Sequence, residues 1–214
     1  MSEYSAMQDN SSGVSPTSSN LLIGGMLSGY RWIGPTLTYA FPTAFSQYGA
    51  SYPATYSAGF TPFSAEYQAG ALYWLQQIAS VSGLSFTAGA AETATLRFGR
   101  FDDPANLAYG FIPGQADTAG DMWFANNANT MGNPGTATMH ALLHELGHAL
   151  GLKHPWEGPV VLPANYDVNS YTAMSYNNYV GGNVPGVYNK IYTHWEQTLP
   201  ILDIQGLQFL YGAN

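Results

Sequence analysis

The chain has 214 residues, of which 46% are hydrophobic and only 8% charged, enough for one well-buried domain, with room for two lobes around a cleft. A net charge of −8 argues against nucleic acid or an anionic membrane as partner, and no apolar run reaches the ~18 residues of a membrane span. Cysteine is absent, which removes any disulfide framework or thiolate-based latency without fixing the compartment.

Residues 1–20 (MSEYSAMQDNSSGVSPTSSN) are polar and Ser-rich and read as a mobile tail or pro-segment. Residues 21–27 are too short and Gly-rich for the apolar core of a secretion signal, and no basic stretch precedes them; they read as a segment that packs on the domain. Residues 36–41 (TLTYAF) alternate like a strand. A Gly/Ser/Tyr-rich loop follows over 43–61. Ser64 then N-caps a helix with Glu66 in its first turn and Tyr67, Ala71, Trp74, Leu75 and Ile78 on one face. That stripe reads as core rather than a ligand site. Residues 84–87 and 94–101 read as strands, the second with Leu96 and Phe98 inward and Arg97 outward. Asp102-Asp103-Pro104 ends it, and two adjacent acids there fit a solvated turn better than a calcium site. Residues 109–114 (YGFIPG) read as a strand end and turn, and 120–126 (GDMWFAN) as another short strand.

The next segment carries the chemistry. Within residues 140–155, HALLHELGHALGLKHP, the residues His144, Glu145, His148, Gly151 and His154 spell H-E-x-x-H-x-x-G-x-x-H. At about 100° per residue, His144 and His148 lie one turn apart on one helix face. Met139, Leu142, Leu143, Leu146, Ala149 and Leu150 fill the opposite arc, as in a buried helix that shows a polar stripe to a cavity. Glu145 is turned about 100° from His144, close to a metal held by the pair but not aimed at it. Such a carboxylate suits a general base, then acid, toward water at the metal.

A catalytic zinc needs a third protein ligand, and His140 and His154 compete for the place. His140 and His148 are about 12 Å apart along the helix axis, too far for zinc–nitrogen bonds of about 2 Å. His154 is reachable if Gly151 ends the helix in a left-handed conformation and the chain doubles back. His154 is therefore the expected third ligand, and His140 takes a supporting or structural role. The five-residue pattern arises by chance in only about one in 10⁵ chains of this length. Beyond it, 155–169 and 181–186 read as loop, 171–176 (YTAMSY) as a short tight segment, and 202–211 as a helix with Asp203 near its start and Gly212 after it. No internal repeat or interdomain linker is read.

These residues resemble the serralysin family of metzincins, bacterial zinc endopeptidases. The zinc motif is that of metzincins at large, whereas Pro155 directly after His154 resembles the serralysin residue. Ala173-Met174-Ser175-Tyr176 resembles the Met-turn, whose methionine, here Met174, underlies the metal. Residues 27–32, 36–42, 120–124 and 203–214 also resemble serralysin segments, so the likeness covers about 21–214. It implies an α+β, two-lobed metzincin fold: a twisted, mostly parallel sheet with two long helices in an upper lobe (about 21–150), and an irregular lower lobe (about 151–214) ending in a helix. It implies that Tyr176 binds zinc at rest and then swings away to stabilise the tetrahedral intermediate. It further implies that strand 120–126, with Met122, Trp123, Phe124 and Ala125, is the edge on which extended substrate pairs. Serralysins continue into glycine-rich, calcium-binding G-G-x-G-x-D repeats; none is read here, so calcium dependence and export route stay open. Lys153, where the family carries a small polar residue, and Pro200, shifted by one position, depart from the pattern.

The expectation is a secreted, monomeric zinc endopeptidase with His144, His148 and His154 on the metal and Glu145 as base. Its partners are polypeptide substrates and a proteinaceous inhibitor, with no nucleic acid and no membrane. The rival is a catalytically weak or inactive relative that keeps the scaffold to bind extended peptides.

Overall fold

The computed structural model describes residues 10–128, 134–178 and 195–214. The elements in chain order are β1 (Ser12–Val14), α1 (Leu21–Gly24), β2 (Tyr30–Trp32), β3 (Thr36–Ala40), β4 (Thr61–Pro62), α2 (Ala65–Val81), β5 (Ser85–Ala88), β6 (Leu96–Phe101), β7 (Ala108–Gly110), β8 (Met122–Ala125), α3 (Ala137–Ala149) and α4 (Ile201–Tyr211). The main sheet runs β5-β3-β6-β8-β7, with β4 paired to β6. The β3–β5, β3–β6 and β6–β8 pairs are parallel, and β7 alone on that path is antiparallel to its neighbour. This is the expected mixed α/β architecture with a mostly parallel sheet and few helices.

Helices α2 and α3 cover one face. Ser64 caps α2 by accepting the Tyr67 N–H, and the buried stripe is Tyr67, Gly70, Ala71, Trp74, Leu75 and Ile78, as the 3.6-residue period requires. Trp74 Nε1 donates to the Met139 carbonyl at 2.8 Å, fixing α2 against α3. Leu96, Phe98, Met122 and Phe124 meet the helices in this core.

The other face is covered by the 43–61 segment, which forms two 3₁₀ turns. Its Tyr48 and Tyr52 pack with Phe101 and Trp123 into a second cluster, flanked by Phe45, Tyr56 and Phe60. Arg97 does point away from the helices, but this aromatic layer buries it, against the expectation of a solvated position. Its guanidinium forks onto Asp121 at 2.8 Å through Nε and Nη2 and lies 4.7 Å from the Tyr48 ring centroid. Tyr52 donates to Asp121 at 2.7 Å and accepts from Trp123 Nε1 at 2.8 Å. A parallel sheet needs cover on both faces, and alternation alone does not reveal when the second cover is a loop.

Two further expectations are corrected. Strand β8, with Met122, Trp123, Phe124 and Ala125, is not the substrate edge: it is flanked by β6 and β7, and all four residues are buried. Among the described residues, the strand that ends the sheet on this side is β7. Residues 10–20 are also not a mobile tail. Strand β1 pairs with β2, the Ser12 hydroxyl donates to the Gly114 carbonyl at 2.8 Å, and Asn10 donates to the Thr36 carbonyl at 2.9 Å. Asn20 caps α1 by accepting the Leu22 N–H. Residues 1–9 lie outside the described residues. So do 181–186, read above as loop.

Among the described residues past α3 no further helix or strand is named until α4, which begins near 201 as expected. No described helix is long and apolar enough to cross a membrane. Lys153, the departure noted in the sequence, donates from Nζ to the carbonyls of Gly25 at 2.6 Å and Val160 at 3.0 Å. It thereby ties the end of α1 to the loop after His154.

The buried Arg97–Asp121 pair makes a test of the sheet's second cover. Arg97→Ala leaves Asp121 as an uncompensated buried carboxylate and should destabilise the fold by about 3–5 kcal/mol, measured by denaturant unfolding. A change under about 1 kcal/mol would show that the pair is wetted or dispensable.

Candidate metal and catalytic centre

Thr136 caps α3 by accepting the Met139 N–H, and the helix ends where Gly151 takes φ 100°. The Gly151 N–H donates to the His148 carbonyl at 2.9 Å and the Leu152 N–H to the Gly147 carbonyl at 2.8 Å. These two bonds make a Schellman termination. A side chain at Gly151 would also run into the Tyr30 carbonyl. The turn reverses the chain as the sequence predicted and brings His154 back to the helical pair.

The three Nε2 atoms of His144, His148 and His154 lie 3.1–3.2 Å apart. Each ring's other nitrogen faces an acceptor from a different place. His144 Nδ1 donates to the Ala173 carbonyl at 2.8 Å, His148 Nδ1 to the Leu152 carbonyl at 3.1 Å, and His154 Nδ1 to Glu157 Oε1 at 2.8 Å. With the protons on Nδ1, three lone pairs converge with no hydrogen to share among them. Burial and the neighbouring rings also hold His144 well below the ordinary histidine range, and burial with His154 holds His148 down at about 4. Such a group repels itself unless a cation sits between. Tetrahedral bonds of about 2.0–2.1 Å place donor nitrogens about 3.3–3.4 Å apart, so the cluster fits zinc closely.

Glu145, one residue after the first histidine, is enclosed and points to the sheet. Burial pushes its carboxyl up to about 8, while a bond from the Gly110 backbone N–H pulls the other way. Among the described residues no side chain takes a share of it. His140 stays off the trio, as expected: its Nδ1 stands 2.5 Å from Glu196 Oε2, and its ring packs 4.7 Å from that of Trp195.

Below the trio runs the segment carrying Met174. Gly147 faces it, and a Cβ there would strike the Met174 sulfur. Thr172 Oγ1 and the Ala173 N–H both donate to buried Asp203, at 2.5 and 2.8 Å. Ser175 donates to Asp167 at 2.6 Å. Asp203 was read as an acid favouring the start of the last helix; it is also the clamp on this turn. The Tyr176 ring centroid is 5.6 Å from that of His144 and 5.0 Å from that of His154, so the tyrosine lines the trio.

Two residues escaped the sequence reading. Glu157 orients His154, and Trp156 stacks on the His154 ring at 4.7 Å with an interplanar angle of 6°. The signal was available, since a carboxylate three residues past a ligating histidine is a common orienting partner for its free nitrogen.

A model of the Matrixin family matches residues 75–179, which include the trio, Glu145, Met174 and Tyr176. The chain is 33% identical to Serralysin G of Dickeya chrysanthemi over 176 residues, which are 73% of this chain and 35% of that protein. It is 32% identical to Serralysin B of the same organism over 200 residues, 83% of this chain and 39% of that one. It is 30% identical to Metallopeptidase AprA of Pseudomonas marginalis over 203 residues, 83% of this chain and 40% of the relative. The chain thus spans well under half the length of the curated relatives it matches.

Metal binding tests the geometry directly. His154→Ala should abolish stoichiometric zinc binding and Glu157→Ala should weaken it by about 10–100-fold, while His140→Ala should leave it intact. Competition with a chromophoric chelator reads all three. Zinc lost with His140 and kept without His154 would overturn the ligand set.

Proposed function

Because this chain is a serralysin-like metzincin catalytic domain, we propose that it is a zinc endopeptidase that hydrolyses extended polypeptides outside the cell. The observation that carries the reading is the convergence of three bare Nε2 atoms at 3.1–3.2 Å with a buried carboxylate on the residue after His144, on a helix that packs against Gly110 of β7.

When bound, zinc supplies a Lewis acid that polarises the scissile carbonyl and acidifies water. His144, His148 and His154 hold it, each fixed in the correct tautomer by its Nδ1 bond. Glu145 takes the proton from the attacking water and returns it to the leaving amine. Burial raises the proton affinity of Glu145, which favours its holding the proton between those two transfers. Tyr176 donates its hydroxyl to the oxyanion of the tetrahedral intermediate, a role supported by its place against His144 and His154.

Strand β7 orients the substrate. The Ala125 N–H donates to the Leu107 carbonyl, the Phe111 N–H to the Asp121 carbonyl, and the Gly120 N–H to the Phe111 carbonyl. Antiparallel pairing therefore turns 107, 109 and 111 toward β8 and leaves the backbone groups of Ala108 and Ile112 and the Gly110 carbonyl outward. An extended peptide adds to that edge as one more strand. Export rests on the likeness to serralysins alone.

Glu145→Ala should keep zinc and lose about 10²–10⁴-fold in turnover of casein. Tyr176→Phe should lower turnover by about one to three decades with a smaller change in KM. Parent-level cleavage by the first variant would refute the mechanism, and turnover within about twofold in the second would make Tyr176 a wall residue. Zinc bound normally but no hydrolysis by the parent itself would favour a peptide-binding module.

A further inference from the structure

The outward edge of β7 does not stop at Gly110. Its next outward residue, Ile112, opens onto a cavity of about 580 Å³ whose far wall is built by Ser12, Gly13 and Val14 of β1 and by Tyr30 of β2. The volume is in the range of pockets that hold small ligands or side chains. Val14, Tyr30 and Ile112 are 79%, 45% and 38% exposed, so apolar surface lies open on both sides. No charged side chain lines it. Part of its polar lining is engaged internally, since Ser12 donates to the Gly114 carbonyl and Gln115 donates to Ser12.

The cavity is continuous with the edge on which the proposed substrate lies, and this inference rests on that reading. Gly110, which packs directly on the Glu145 backbone, is the residue of this strand level with the proposed base. Ile112 is two residues on, about 7 Å along an antiparallel strand. A peptide antiparallel to β7 runs in the opposite sense, so its residues N-terminal to the cleaved bond face 112 and beyond. We infer that this cavity between β1 and residues 111–119 is a substrate subsite, taking a bulky apolar or aromatic side chain two to four residues N-terminal to the peptide opposite Gly110. Charged side chains are disfavoured there because no lining side chain offers them a counter-charge. Strand β1, at the start of the described chain, is then a selectivity element.

The test uses quenched decapeptides that differ only at these positions, carrying Leu, Phe, Ser or Asp. The zinc-loaded protein should cleave the Leu and Phe peptides at least about tenfold better in kcat/KM than the Asp peptide, mostly through KM. Val14→Lys, on an exposed strand position that should fold normally, should erode that ratio by favouring the Asp peptide. Binding of the same peptides, labelled, to Glu145→Ala is followed in parallel by fluorescence polarisation. Cleavage without dependence on those positions overturns the subsite and leaves the protease reading standing. Selective binding without cleavage by the parent does the reverse, and neither binding nor cleavage sinks both. A preference that emerges only when residues 1–9 are deleted would make those residues, rather than substrate, the occupant.

Discussion

Everything near the centre depends on where three imidazole protons sit. Each Nδ1–H is held by an acceptor of separate origin: the Ala173 carbonyl before Met174, the Leu152 carbonyl in the turn after α3, and the Glu157 carboxylate. Moving any one acceptor frees a ring to rotate or to change tautomer, and its Nε2 would then carry the proton and face its neighbours as a donor. The metal site is therefore less a property of three histidines than of three chain segments brought to one point. That explains why the helix must stop where it does. The same Schellman turn that releases the chain toward His154 also presents the Leu152 carbonyl to His148.

The sheet answers a different constraint. Its parallel strands must be covered on both faces, and α2 and α3 cover only one. The long 43–61 segment supplies the other cover with aromatic rings, and Arg97 with Asp121 gives that layer a polar centre. Burying an ion pair there is a poor route to stability compared with apolar side chains. What the pair does is bind one strand to the turn before β8 while satisfying Tyr52 and, through it, Trp123. Among the described residues, β7 is the strand that ends the path on the side of Glu145.

Much of this was legible in the sequence, for identifiable reasons. Ser64, Glu66 and the Tyr67–Ile78 stripe gave α2 almost to the residue, because capping and the 3.6 period are local. The ligand set was legible because helix geometry excludes His140 and a glycine stands at the reversal. What was missed depends on partners far along the chain. Arg97 reads as outward and is, but its outside is covered by a loop some fifty residues earlier. Strand β8 reads as the edge on resemblance, and nothing in GDMWFAN says that a three-residue strand, Ala108–Gly110, pairs beyond it. Residues 10–20 read as a tail because strand β1 is short and polar, and its pairing with β2 is invisible to composition. Glu157 and Trp156 were overlooked although their spacing from His154 carries a signal.

The last helix shows how far the centre reaches. Asp203 lies in its first turn, where a carboxylate favours the helix dipole, yet its oxygens are spent on Thr172 and Ala173. Burial pushes its carboxyl up to about 7 even with those two donors pulling it down, so they offset the cost of holding it ionised there only in part. The Ala173 residue so clamped is the one whose carbonyl holds His144. One residue further, Met174 meets Gly147, the position on α3 where no side chain fits. A path of direct contacts thus runs from α4 through Asp203 and Ala173 to His144, and a second runs through Met174 to the same helix. The C-terminal helix, remote in sequence from the signature at 144–154, is in this sense part of the metal centre's frame. The chain needs it for the position of one carbonyl oxygen.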